Sequence, residues 1–110
     1  AQFGRIILPT LEGFVVVEIR EIIRCEADRN YTHFWLESGK KLTISRTLKY
    51  YEELLGESGF VRIHQSHLIN LSQIKEYKRR KKGGIVFFNN ELELPVAESR
   101  KGDLLRRLKG

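Results

Sequence analysis

Apolar and polar residues alternate along most of the chain, and a period of two is typical of half-buried β-strands. The predicted strands cover residues 5–8, 14–19, 22–27, 31–37, 41–44, 60–64, 74–77, 85–88 and 91–94. Short polar segments rich in Gly, Asn, Asp and Ser separate several runs, so we expect neighbouring strands to pair as antiparallel hairpins. The pattern predicts a mainly β fold of about eight to ten short strands.

A helical period replaces this alternation in one internal segment. Its apolar residues are Leu48, Tyr51, Leu54 and Leu55, which share one face of a helix. Either Ser45 or Thr47 can cap the start, and Gly56 and Gly59 end the helix. Residues 99–108 alternate basic residues with leucines and predict a second helix. We therefore expect one short central helix and one short C-terminal helix.

The segment from Phe60 to Leu71 places many polar groups among apolar ones. They are Arg62, His64, Gln65, Ser66 and Asn70. Alternation up to His64 predicts a half-exposed strand, and Gln65-Ser66 then breaks the alternation as the chain turns. A strand buried in a core has no use for so many polar side chains. We expect this edge to contact a partner.

The charge of the chain narrows the class of that partner. Twenty Lys and Arg against fourteen Asp and Glu give a net charge of +6 and a pI near 9.7, a balance that favours nucleic acid. Residues 78–82 are all basic, and further Lys and Arg residues crowd the C-terminus. The basic run lies between two predicted strands, so we interpret it as a solvated hairpin tip with at most an accessory phosphate contact.

Length and the absence of targeting segments indicate the number of domains and the cellular compartment. The 110 residues suit a single domain, and the lack of a long apolar run or a signal peptide favours the cytoplasm. A chain that starts with Ala rather than Met is expected to be part of a longer protein.

The single cysteine, Cys25, excludes an internal disulfide. It alternates with apolar Ile23 and Ala27, which predicts a buried thiol rather than a nucleophile.

Four segments together resemble one known family. In order they are Ile22-Ile-Arg-Cys-Glu-Ala-Asp-Arg-Asn-Tyr-Thr32, Ser45-Arg-Thr-Leu48, Phe60-x-Arg-x-His-x-Ser-x-Leu-Ile-Asn70 and Leu94-Pro-Val96. Their order and spacing resemble the LytTR DNA-binding domain, the output module of many bacterial response regulators, over roughly residues 6–108. The resemblance implies an elongated stack of small antiparallel sheets. It also implies sequence-specific binding of duplex DNA and transcription regulation in a two-component system.

The loop of residues 28–33 supplies the first candidate DNA contacts. Arg can bind guanine in bidentate fashion and Asn can bind adenine, so Arg29, Asn30 and Thr32 make a loop suited to a major groove. The resemblance adds that the family position matching Thr32 reaches base edges. The alternative is a hairpin loop whose Asp and Asn residues only turn the chain.

The polar segment after Phe60 supplies the second set. We expect Gln65 at the apex of a turn in contact with DNA, and Arg62 on a phosphate. His64 is expected to be a buried scaffold residue hydrogen-bonded to a main-chain carbonyl. Ser66 is a candidate for DNA contact, although Ser66 and Asn70 can instead cap and close a turn of helix between them.

The start of the C-terminal helix supplies the third set, which is Ser99, Arg100 and Lys101. In the family this segment enters another major groove, and Ser99 stands where some members carry a base-reading Arg. We expect Arg100 or Lys101 to make that contact instead. The resemblance further implies paired half-sites in promoters, an N-terminal receiver domain as partner, and an isolated domain that is monomeric in solution and dimeric on DNA.

Other functions find less support in the sequence. His64 and His67 lack a third ligand at a suitable spacing for a metal, and no Gly-rich phosphate loop precedes a helix. We therefore expect no enzymatic activity and no cofactor. The alternative binding function is a small basic β module that binds RNA or single strands by aromatic stacking. Because Phe34 and Trp35 are adjacent, only one can face solvent, and no aromatic platform follows.

Overall fold

The computed structural model describes residues 3–89 and 91–110. These residues form ten β-strands and two α-helices. The strands are β1 (Arg5–Thr10), β2 (Gly13–Glu18), β3 (Ile22–Asp28), β4 (Tyr31–Leu36), β5 (Lys41–Ile44), β6 (Phe60–His64), β7 (His67–Asn70), β8 (Ile74–Arg79), β9 (Gly84–Phe88) and β10 (Glu93–Val96). The helices are α1 (Leu48–Leu55) and α2 (Glu98–Lys109). The predicted mainly β fold with a central and a C-terminal helix is confirmed.

The strands form three small antiparallel sheets. The first contains β1 and β2, the second has the order β5-β4-β3-β7-β6, and the third has the order β10-β9-β8. The molecule measures 46 × 29 × 25 Å along its principal axes. The elongated stack of sheets that the family resemblance implies is therefore present.

The five-stranded sheet lies between two hydrophobic cores. Because successive residues of a strand face opposite sides, Phe60 and Leu68 enter the first core with β1, β2 and α1, whereas Val61 and Ile69 enter the second with the three-stranded sheet and α2. Each of these four side chains is almost completely buried, and such burial contributes roughly 1.5–3 kcal/mol per residue. The loops at the ends of this sheet therefore project from a well-packed scaffold.

Helix α1 begins at a capping threonine. Thr47 Oγ1 accepts a hydrogen bond from the Tyr50 N–H at 3.3 Å, so Thr47 rather than Ser45 is the cap. The buried side of the helix consists of Leu48, Tyr51 and Leu55. Leu54, predicted on the same face, is 51% exposed because it lies at the edge of that stripe. Gly59, with a φ of 87°, takes the left-handed conformation that leads the chain into β6.

The predicted turn of helix from Ser66 to Asn70 is wrong. His67–Asn70 forms strand β7, which is hydrogen-bonded between β3 and β6. Asn70 instead starts a 3-10 turn, because its side-chain oxygen accepts a hydrogen bond from the Ser72 N–H at 3.0 Å. The Asn70 amide nitrogen also donates to the Ile22 carbonyl at 2.8 Å. This buried side chain therefore joins β7 to the start of β3.

Candidate nucleic-acid interface

Four segments of the chain meet at one end of the five-stranded sheet. Because neighbouring strands are antiparallel, β3, β5 and β6 end, and β4 and β7 start, at the same end of the sheet. The Ala97 N–H donates to the Ile63 carbonyl at 2.8 Å, which brings the start of α2 to this end as well. We call these segments the loop rim, and they are residues 29–30, 45–47, 65–66 and 97–101.

The turn between β3 and β4 presents two free polar side chains. Arg29 and Asn30 are its two central residues and both are exposed. Arg29 has a φ of 56°, a left-handed conformation that is uncommon outside glycine. Asp28 at the base of the turn contacts His33 Nε2 at 2.9 Å. Within residues 3–89 and 91–110, neither the Arg29 guanidinium nor the Asn30 amide has a hydrogen-bond partner, so both are available to a ligand.

The turn between β6 and β7 has a fixed backbone and an exposed apex. Gln65 is exposed there, as predicted. The Ser66 N–H donates to His64 Nδ1 at 3.0 Å, and the Ser66 carbonyl accepts from the Ala27 N–H at 2.9 Å. His64 is half-buried and accepts a bond from a main-chain N–H, so the predicted bond to a main-chain carbonyl is wrong. The Gln65 side chain is left available to a ligand.

Arg62 lies directly behind this turn and its side chain is only 13% exposed. Its Nε donates to the His64 carbonyl at 2.9 Å, and one terminal nitrogen donates to the Gln65 carbonyl. The other terminal nitrogen donates to Glu52 Oε1 at 2.8 Å. These bonds disfavour the predicted contact between Arg62 and a phosphate, because the guanidinium already joins the β6–β7 turn to α1.

The start of α2 carries both free and weakly paired side chains. Ser99 is exposed. Arg100 is 40% exposed and lies 3.6 Å from Glu52 Oε2, and Lys101 Nζ lies 3.3 Å from Glu98 Oε1. Ion pairs at such exposed positions contribute at most about 1 kcal/mol. Arg100 and Lys101 can therefore exchange these carboxylates for a phosphate at little cost.

Comparison with known proteins identifies the family. The model of the LytTr DNA-binding domain family matches residues 12–109. The chain therefore belongs to the LytTR family. Its fold is similar to the LytTr DNA-binding domain described as part of a methyl-accepting/DNA response regulator from Bacillus cereus, with a TM-score of 0.79, 25% sequence identity and 97% of each chain covered. No curated protein sequence matches the chain.

In this LytTR domain, Thr32 is fully buried. Its hydroxyl donates to the Arg46 carbonyl at 2.8 Å. Alternation along β4 places Thr32 on the same side of the sheet as Phe34 and Leu36, which line the first core. The predicted contact between Thr32 and base edges is therefore contradicted for this chain, because its hydroxyl supports the rim loop of residues 45–47.

Arg46 belongs to the loop rim of the LytTR domain, although the sequence pattern did not single it out. It is exposed, and its guanidinium carbon lies 4.6 Å from the centre of the Tyr50 ring. A cation over an aromatic face is held in place but keeps its donors accessible. The signal in the sequence is an arginine between a strand end and the capping Thr47.

Two rings lie side by side beneath the rim. The His64 and His67 rings are 5.3 Å apart, and only His67 is buried, with 8% exposure. Burial lowers the pKa of His67, and His64 and Arg24 add to that effect, whereas Glu26 opposes it. Within the described residues, His67 Nδ1 has no hydrogen-bond partner. We therefore expect His67 to be neutral at pH 7 and to act as part of the scaffold.

The described part of this LytTR domain contains no arrangement of residues suited to metal binding, to cysteine nucleophilic catalysis or to a membrane-spanning helix. Its His, Cys, Asp and Glu side chains form no group of three or more that could hold a metal ion. Cys25 is fully buried, as predicted, and burial raises the pKa of its thiol, which disfavours the reactive thiolate. Among the same residues, no helix is long and apolar enough to cross a membrane.

Proposed function

We propose that this LytTR domain binds specific duplex DNA sequences through its loop rim and regulates transcription as the output domain of a response regulator. One observation carries the proposal: among the described residues, the side chains of Arg29, Asn30 and Gln65 are exposed and have no internal partner, on turns that join paired strands of one sheet. Hydrogen bonds to Arg62 and His64 also fix the backbone of the Gln65 turn. Free donors and acceptors on a fixed backbone are what base-edge recognition in a groove requires.

The chemistry of each rim residue suggests its role. Arg29 can bind guanine O6 and N7 together, and Asn30 or Gln65 can bind adenine N6 and N7. Ser99 and Arg100 would contact a second stretch of the duplex from the start of α2. Phosphate contacts, which position the protein without reading sequence, suit three further rim residues. They are Arg46, Lys101 and Ser66. Ser66 is half-buried and would contact a phosphate through its hydroxyl.

The similarity to a Bacillus cereus response regulator supports an arrangement with a receiver domain. We infer that the receiver precedes this domain in the full-length protein and brings two LytTR domains together on paired half-sites. The isolated domain would then be monomeric and bind one half-site modestly, whereas a linked pair would gain effective concentration.

Duplex DNA is favoured over the single-stranded alternative by the position of the tryptophan. Trp35 lies near the end of β4 that is remote from the rim, with Arg24 and Lys41 at 4.7 and 5.0 Å from its ring. These cations compete with a nucleobase for the ring. Stacking of bases on this tryptophan would leave Arg29 and Gln65 unused.

Selection of bound sequences from a random duplex pool is the direct test. We expect an enriched motif, and binding of that duplex at least about tenfold tighter than binding of a scrambled duplex or of its separated strands. Recovery of no motif, or equal affinity for single strands together with strong quenching of Trp35 fluorescence, would contradict the proposal.

The spacing of half-sites tests the paired arrangement. Two LytTR domains fused by a flexible linker should bind a double site far more tightly than a single site only while the half-sites keep helical phase. Inserting about 5 bp, half a helical turn, should abolish most of that gain. Unchanged affinity after the insertion would exclude the paired model while leaving binding to one half-site intact.

A further inference from the structure

The hairpin between β8 and β9 ends in a dense and exposed group of cations. The residues are Arg79, Arg80, Lys81 and Lys82, which we call the basic tip. Within the described residues, none of the four forms an ion pair with a carboxylate. Four like charges in a short turn repel one another, so their proximity is unfavourable until a polyanion neutralises them.

The basic tip is anchored to α2 rather than free in solvent. The Gly83 N–H, directly after the tip, donates to the Glu98 carboxylate, and this bond and a contact with Lys101 lower the pKa of Glu98. Tyr77 OH donates to the Gly83 carbonyl at 3.3 Å. A side chain at Gly83, where φ is 72°, would overlap the Val96 carbonyl. The turn is therefore packed directly against the first residue of α2.

The anchoring places the tip at the same end of the molecule as the loop rim. Glu98 follows Ala97, whose N–H is bound to the end of β6. At the opposite end, Ile23, Glu37, Gln73 and Phe88 line one depression. These residues mark the start of β3, the end of β4, the start of β8 and the end of β9. The other ends of β8 and β9, where the tip lies, therefore point in the direction of the rim.

We propose that the basic tip binds the DNA backbone beyond the stretch contacted by the start of α2, and so extends the footprint of the domain on one side. The inference rests on the proposed binding of duplex DNA by the rim. A surface loop that only aids solubility needs no anchor, whereas a phosphate contact gains from a turn that is ordered before binding. The contact carries no sequence information, because it involves phosphates alone.

Paired lysine substitutions test the proposal in the intact chain. The tip variant Lys81→Gln/Lys82→Gln is compared with Lys40→Gln/Lys75→Gln, which removes the same charge from exposed residues at the opposite end. On a selected duplex with about 10 bp of flank on each side, the tip variant should bind about tenfold more weakly. The slope of log affinity against log salt should fall in magnitude by about 0.9 for each phosphate that the variant no longer neutralises. The control should bind like the unmodified chain.

Trimming the flanks locates the contact. Shortening the duplex from one end should erase the difference between the tip variant and the unmodified chain, and shortening from the other end should leave it unchanged. The proposal is overturned if the tip variant binds normally, if the control is weakened as much, or if the difference survives trimming from each of the two ends. Each of these results requires that the unmodified chain binds its selected duplex, so failure of the tip contact is distinct from failure of the proposed function.

Discussion

Arg29 and Arg62 lie at the same end of the five-stranded sheet but in opposite environments. Arg62 donates to two main-chain carbonyls and to Glu52, and little of its side chain is exposed. Arg29 is exposed and has no internal partner in the described part of the chain. The comparison shows that residues of one polar cluster can differ in role, because the contacts of each side chain decide whether it is available to a ligand or holds the loop.

The same contrast separates Asn30 from Thr32, which are only two residues apart. Asn30 is exposed at the turn, and the Thr32 hydroxyl is buried against the Arg46 carbonyl. Thr32 bonds the main chain of the rim loop of residues 45–47, and Arg62 and His64 bond that of the Gln65 turn. Order of this kind before binding would lower the entropic cost of contact with a ligand. The two groups should respond differently to substitution, in stability or in binding.

The largest expected effect is on the stability of Arg62→Ala. Removal of the guanidinium leaves two main-chain carbonyls and the Glu52 carboxylate without their donor, and we expect a loss of about 2–4 kcal/mol in the free energy of unfolding. Denaturant titration followed by circular dichroism measures it. Arg29→Ala is the matched control and should unfold like the unmodified chain. Equal stability of the two variants would show that Arg62 is not a scaffold residue.

The next effect concerns base recognition by Asn30. Asn30→Ala should cost about 1–3 kcal/mol of discrimination between the selected site and a site changed at one adenine, because the variant cannot make a bidentate pair of hydrogen bonds. Its unfolding free energy should stay within about 0.5 kcal/mol of that of the unmodified chain. Competition binding on the two duplexes provides the measurement. Uniform weakening on both duplexes would instead indicate that Asn30 contacts the backbone.

Thr32→Val should have a smaller effect than Asn30→Ala, and it should lower stability rather than discrimination between duplexes. Valine keeps the shape of threonine but removes the donor to the Arg46 carbonyl, so we expect a loss of about 1 kcal/mol in unfolding free energy. Discrimination between duplexes should change little at a temperature where the variant is folded. A loss of discrimination with unchanged stability would restore Thr32 as a base contact.

The sequence was sufficient for the features that depend on local pattern. Alternation predicted the strands and the buried Cys25, and turn residues predicted the exposed Arg29, Asn30 and Gln65. Alternation also predicts that Thr32 is buried, because it lies on the same face of β4 as Phe34. The family resemblance outweighed that signal.

The errors arose where the partner of a residue is distant in sequence. The bond from Arg62 to Glu52 joins a strand to a helix, and the packing of Gly83 against Val96 and Glu98 joins a hairpin to α2. Period and propensity describe neighbours along the chain and contain no information on such contacts. The role of Arg62 and the packing of the basic hairpin tip against α2 therefore required the structure.

The smallest expected effect is a pH dependence carried by His67 in the layer behind the rim. Its folded pKa is lowered, chiefly by burial, while the unfolded value is near 6.5. Between the two values the unfolded chain binds more protons, so stability should decrease as pH falls below about 6.5 and level off below the folded pKa. Urea midpoints at several pH values measure the trend, and His67→Gln should show less of it. An unchanged trend in that variant would show that His67 does not carry the effect.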